Sequence, residues 1–230
     1  MINNFPVLVI VIPLLAAIIT PVAGRINRAL CWYVAALTTL ACFAISLSLL
    51  HSVLTGGTIT YWLGGWEPPW GIEYVIDYLN SFVLIIVTFI ALMGTVYAKK
   101  SVEREIGESR APFFYAVYLL FLTGLMGILV TGDIFNIYVF LEITSIAGYA
   151  LIAAGRQREA LVAGFNYLVL GTVGATFFVL GIGYLYLITG TLNLADLAAR
   201  LPELYETRAV FTAFALFAVG LGIKVALFPL

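Results

Sequence analysis

Residues 131–154 read TGDIFNIYVFLEITSIAGYALIAA. After the polar entry at Asp133, the run from Ile134 to Ala154 is apolar on all faces, with Glu142 set inside it. A hydrocarbon core about 30 Å thick takes roughly 20 apolar residues as a helix, so this run reads as a membrane span. A carboxylate in such a place costs about 2.5–3.5 kcal/mol at a helix centre on insertion scales. Glu142 lies nine residues past Asp133, or roughly 13.5 Å along a straight helix, close to mid-membrane.

Six further stretches have the same character: Phe5–Ala23, Leu30–Leu54, Leu79–Ala98, Phe113–Thr131, Ala163–Ile188 and Ala209–Leu230. The 230 residues are 63% hydrophobic and 10% charged, with a mean hydropathy of +1.10. Soluble domains carry about 45–50% apolar and about 25% charged residues, which excludes a soluble enzyme, a nucleic-acid binder and a disordered segment. With 11 Lys+Arg against 12 Asp+Glu there is no basic face for nucleic acid. Barrel strands would alternate and be about half as long. The expected fold is therefore all-α: a polytopic integral membrane protein with seven transmembrane helices. Phe5–Ala23 counts as a span and not a cleavable leader, because no positive charge precedes it.

Basic residues set the orientation. Arg25 and Arg28 lie in the first loop, Lys99, Lys100, Arg104 and Arg110 in the third, and Arg156 and Arg158 in the fifth. The even loops hold only Arg200 and Arg208. These positions predict an N-terminus outside, odd loops in the cytoplasm and, after seven spans, a cytoplasmic C-terminus.

The second loop, 55–78, carries Tyr61, Trp62, Trp66, Trp70, Tyr74 and Tyr78. Strand-like Thr58–Leu63 and Ile72–Asp77, separated by Gly64-Gly65 and Pro68-Pro69, predict a short outer β-hairpin whose aromatics anchor the headgroup region. Lys99–Arg110 reads as a solvated mixed-charge loop and marks a boundary between residues 1–111, with helices one to three, and residues 112–230. In the sixth loop, Asn193 caps a short amphipathic helix with Leu194, Leu197, Ala198 and Leu201 on one face, ending before Pro202. The glycines of helix six, Gly171, Gly174, Gly181 and Gly183, suit close helix packing. Cys31 and Cys42 share a helix and cannot bridge; with the lone His51 they give no metal cluster. No cofactor site is legible.

Lys224 is the other charge within a span. It lies sixteen residues past Arg208, roughly 24 Å along a helix. Along straight helices the two heads are not level; they meet if helix seven's first turn lies outside the core or if the lysine stem reaches outward. Pro229 removes an N–H and clashes with the carbonyl at position 225, so a break is expected beside Lys224, with Gly220 and Gly222 adding freedom. Broken helices with charges at mid-depth suit ion translocation. Burial and pairing shift the protonation of an acid and a base in opposite senses, so opening a Glu142–Lys224 pair is a candidate proton switch. A structural clamp between helices is the alternative.

At these residues the sequence resembles a known family. Thr131–Ile143 is similar to the fifth-helix motif of the D-type subunits of Mrp sodium/proton antiporters and their relatives, the antiporter-like subunits of complex I and of membrane-bound hydrogenases. Residues 222–230, GIKVALFPL, resemble that family's broken seventh helix; residues 63–73, LGGWEPPWGIE, its outer hairpin; and residues 190–197, GTLNLADL, its sixth loop. The resemblance implies that Glu142 and Lys224 are the proton-translocating residues, that Gly222 and Pro229 form the helix break, and that Asp133 is accessory. It also implies inverted five-helix repeats, the first beginning near Pro112 and incomplete before helix eight. Partner membrane subunits are implied, in a prokaryotic cell membrane, with proton movement coupled to sodium or to redox chemistry in a partner. The expected function is the proton-translocating subunit of a multisubunit cation/proton antiporter, with the equivalent subunit of a hydrogenase or quinone oxidoreductase as the alternative.

Overall fold

The computed structural model describes residues 4–155 and 157–227. Its helices are α1 (Phe5–Ile26), α2 (Arg28–Gly56), α3 (Tyr78–Glu105), α4 (Ala111–Val130), α5 (Ile134–Ala153), α6 (Arg158–Thr189), α7 (Leu194–Leu204) and α8 (Arg208–Lys224). A hairpin of β1 (Ile59–Trp62) and β2 (Glu73–Ile76) separates α2 from α3. Among the described residues six helices, α1 to α6, are long and apolar enough to cross a membrane. The expectation of seven spans is corrected here: the last stretch forms a helix of only 17 residues, roughly 25 Å long. It stops at Lys224 in a Schellman-type end, with Leu227 N–H donating to Gly222 O and Ala226 N–H to Ile223 O. Pro229, the expected cause of the break, lies outside the described residues.

Two other boundaries move. α3 carries Lys99 to Glu105 as helix, not loop, because 28 residues outrun the hydrocarbon thickness and its last turns project beyond it. Lys99 folds back over the Trp32 ring at 4.2 Å. α7 passes through Pro202 to Leu204; so near the helix end, the proline forfeits a single backbone bond, to the carbonyl of residue 198.

Neighbouring helices pack in the order α3, α2, α1, α4, α5, α6, α8. One core joins Val9, Leu49, Leu84, Met126 and Phe140 beneath Tyr74 and Ile76 of the hairpin; a second, at the other end of α1–α4, gathers Ala17, Cys31, Val102 and Leu119. Glycines allow the close approaches. Side chains at Gly124 and Gly127 of α4 would strike Thr144 and Phe140 of α5.

Backbone pairing ties the links on the hairpin face together. Gly132 N–H donates to Glu73 O at 2.8 Å, Ile134 N–H to Leu192 O, and Leu194 N–H to Gly132 O. Asn193 Nδ2 reaches Glu73 Oε2 at 3.0 Å. On the opposite face Arg28 of the first link meets Glu108 of the third. The even and odd links therefore sit at opposite ends of the bundle.

Candidate functional site: the Glu142–Lys224 ion pair

The polar groups of α5 are few and ordered. Tyr138, Glu142, Ser145 and Tyr149 recur at intervals of four, three and four, which places them on one face of a helix. That face meets α6: Tyr138 stacks on Phe178, Tyr149 lies against Gly171 and edge-on to Tyr167, and Ala153 touches the Gly164 position.

α8 approaches α6 along its own glycines. A Cβ on Gly220 would stand 2.7 Å from Gly174 O, and one on Gly174 would stand 2.9 Å from Gly220 O. The two backbones touch because neither residue has a side chain. Phe217 packs edge-on to Phe178 and over Gly181. Above this contact Leu197 of α7 closes the α6–α8 seam with Leu185 and Ala213.

This packing makes α6 a common ruler for depth. Glu142 lies between the Phe178 and Gly171 contacts, near the level of Gly174 and therefore of Gly220. Lys224 is one turn beyond Gly220, farther from the hairpin face than Glu142. The mismatch in straight-helix depths is thus met by the lysine stem, which reaches back toward the hairpin face. Lys224 Nζ donates to Glu142 Oε1 at 3.0 Å and to Ser145 Oγ at 2.8 Å. The side chains of Lys224 and Glu142 are 11% and 21% exposed. The structure therefore brings together the two charges singled out in the sequence and adds Ser145, which sequence reasoning missed.

The other candidates stand apart. Asp133 is the N-cap of α5, accepting from Asn136 N–H at 2.7 Å. Burial pushes its carboxyl up, against the pull of the Asn136 and Phe135 amides. It lies nine residues from Glu142, at the hairpin face. Gly222 is buried and its carbonyl receives Leu227 N–H just past Lys224.

The magnitudes are close to balance. At 3.0 Å and an effective dielectric of about 20, the ionic attraction is on the order of 5 kcal/mol. Placing both charges at mid-depth costs about 5–7 kcal/mol on insertion scales. Each charge therefore offsets much of the cost of the other.

Comparison with known proteins places this geometry. The profile described as "NADH:quinone oxidoreductase/Mrp antiporter, TM" matches residues 131–230, from the start of the α5 motif through Lys224. The chain belongs to the superfamily of Mrp antiporter and complex I-type membrane subunits. Within this superfamily it is 43% identical over 230 residues to the N-type subunit of the NADH-quinone oxidoreductase of Desulforudis audaxviator, covering 99% of this chain and 45% of the relative. It is 36% identical over 229 residues to the D-type subunit of the Na(+)/H(+) antiporter of Bacillus subtilis, with the same coverage. Among solved structures, the archaeal membrane-bound sulfane sulfur reductase superposes with a TM-score of 0.91 at 33% identity, over 97% of this chain and 45% of that one. The chain thus spans a little under half the length of these superfamily members.

Proposed function

We propose that this chain is a proton-translocating membrane subunit of a redox-driven, complex I-like assembly, with Glu142 and Lys224 as the switch. The observation that carries the reading is the ion pair itself: two oppositely charged groups on separate helices, bonded at 3.0 Å and mostly enclosed. A proton delivered to Glu142 cancels the attraction and leaves Lys224 as an uncompensated cation, which relaxes by giving up its own proton. Transfer of Glu142's proton to the neutral Lys224 then restores the pair, and the cycle has taken up one proton at Glu142 and released one from Lys224. No redox chemistry falls to this chain in this reading; the driving reaction belongs to partner subunits.

Support for a redox-driven setting comes from the 43% identity to an NADH-quinone oxidoreductase subunit and the similarity to a respiratory sulfur reductase structure. This reverses the order suggested by the sequence motifs, which put the antiporter first. The second reading, an Mrp-type cation/proton antiporter subunit, keeps the support of the Bacillus subtilis relative. In either setting the Lys/Arg distribution supports an orientation with the hairpin face outside and the Arg28–Glu108 face in the cytoplasm of a prokaryotic cell.

The test uses the assembled complex in sealed membrane vesicles with a pH-sensitive dye. Glu142→Gln and Lys224→Ala are each expected to lower proton movement by about 10²-fold or more, the scale for removing a positioned proton-transfer group, with assembly intact. Unaltered movement in either variant overturns the reading. Driving the same vesicles with a reductant and quinone, or with a sodium gradient, separates the two settings.

A further inference from the structure

The ion pair does not use all of what holds Lys224. Its bond to Ser145 Oγ, 2.8 Å, is shorter than the one to Glu142. The Ser145 hydroxyl donates its one hydrogen to Leu141 O at 2.7 Å, so it turns only a lone pair toward the lysine. A lone pair accepts from an ammonium and equally from a neutral amine, which still carries N–H groups. Glu142 is different, because its hold depends on charge at both ends.

Position reinforces chemistry. Both bonds are made at once, so the lysine needs no movement to reach Ser145. Below Ser145 on the same face comes Tyr149, which is 6% exposed. Its hydroxyl is held against Gly171, where any side chain would displace it, one turn from Ser145 on the same face of α5. The polar stripe therefore continues for one turn past the ion pair, away from the hairpin face.

We infer that Ser145, with Tyr149 one turn further along the same face, forms a second and uncharged seat for the Lys224 amino group, one that the lysine already touches and keeps when its bond to Glu142 opens. Ser145 is then a positioning residue. It keeps the amino group hydrogen-bonded through both protonation states, so the pair opens without leaving a buried cation stranded. Losing the Glu142 bond while keeping the Ser145 bond holds the amino group on the Tyr149 side of the pair, away from Glu142. This inference rests on the proton-switch reading above and adds to it a hold for the lysine.

The test is made in the same vesicles and the same intact complex. Ser145→Ala is expected to slow proton movement about tenfold, the equivalent of one hydrogen bond to a charged group, with complex abundance unchanged. Ser145→Thr, which keeps the hydroxyl, restores the rate; a role in packing alone would not follow the oxygen in this way. Ser145→Cys nearly preserves the volume but replaces the oxygen with a weak acceptor, and is expected to match the alanine variant even if alanine impairs assembly. Tyr149→Phe gives a smaller slowing. Wild-type rates in both Ser145→Ala and Ser145→Cys overturn the inference. If they occur while Glu142→Gln still abolishes movement, only the second seat falls; if Glu142→Gln is itself without effect, the switch falls with it.

Discussion

Helices α1–α4 and helices α5–α8 both bury polar side chains, but of two kinds. In the first group Thr20, Thr39, Thr88, Thr95 and Thr123 each donate to the carbonyl one turn back in their own helix. Ser46 and Thr88 join α2 to α3 at 2.9 Å, and Trp32 Nε1 reaches Thr95 O. The five threonine hydroxyls stay satisfied however the neighbouring helix moves. The second group has such hydroxyls too, Thr144 and Thr189 among them, but adds Lys224 and Glu142, whose side-chain bonds among the described residues run between the two and from Lys224 to Ser145. Self-satisfied hydroxyls cost little in lipid and grip weakly; a charge that needs a partner on another helix makes helix position and protonation one variable.

The sharpest way to break this contrast is to exchange the charges. Glu142→Lys combined with Lys224→Glu keeps an ion pair, so the chain is expected to fold and assemble. Proton movement is nonetheless expected to fall about 10²-fold or more, because the shorter glutamate at position 224 cannot reach back to the hairpin-side level from its place near Ser145. A pair that only clamps helices would move protons as before, and vesicle assays on the exchange variant read the difference directly.

A smaller effect is expected at the glycine crossing that holds the pair together. Gly220→Ala puts a Cβ 2.7 Å from Gly174 O and 3.0 Å from Phe178 N, backbone atoms that cannot turn aside. Overpacking of this kind costs about 1–3 kcal/mol, read as a lower melting temperature of the detergent-purified complex. Gly183→Ala on the same helix as Gly174 meets nothing within 4 Å and serves as its control. Equal melting temperatures for the two variants would remove α6–α8 contact from the account. Within α1–α4 the expected effect is smaller again: Ser46→Ala together with Thr88→Val removes the matched pair, should cost under about 1.5 kcal/mol, and should leave proton movement unchanged.

The two charges are legible in the sequence because charge in lipid is scarce and has few innocent uses. The hairpin is legible from alternating aromatics bounded by glycine and proline, and it pairs Ile59 with Ile76 through to Trp62 with Glu73. Ser145 is not. Serines and threonines throughout these helices bond their own backbone, as Thr144 and Thr172 do, so one more gives no signal alone. The signal lies in its spacing from Tyr138, Glu142 and Tyr149. The meeting of Glu142 and Lys224 is also hidden, since depth measured along each helix ignores the register between helices. That register is set by Gly174 against Gly220, a tertiary contact with no local signature. The end of α7 escapes a sequence reading because proline reads as a stop, although near a helix terminus its cost falls to one hydrogen bond.

The mildest prediction concerns a charge that faces water instead of the bilayer. Asp196 sits in the first turn of α7, bonded to Arg200 at 2.9 Å. Hydrogen bonds from the Arg200 guanidinium and from Thr191 hold its carboxyl below the ordinary range. A depressed carboxyl stabilises the fold above its unfolded value of about 3.9, and that contribution is lost as pH falls through the lower, folded value. Arg200 also donates to Thr189 O at 2.7 Å, closing the end of α6, so loosening Asp196 frees a cation that remains usefully placed. The expected outcome is faster amide hydrogen exchange confined to 194–200 below pH 4, reproduced at neutral pH by Asp196→Asn, with no change at Lys224. If exchange at Lys224 rises together with that of α7, the outer helix and the ion pair form one cooperative unit, and exposed and enclosed charges in this bundle no longer act apart.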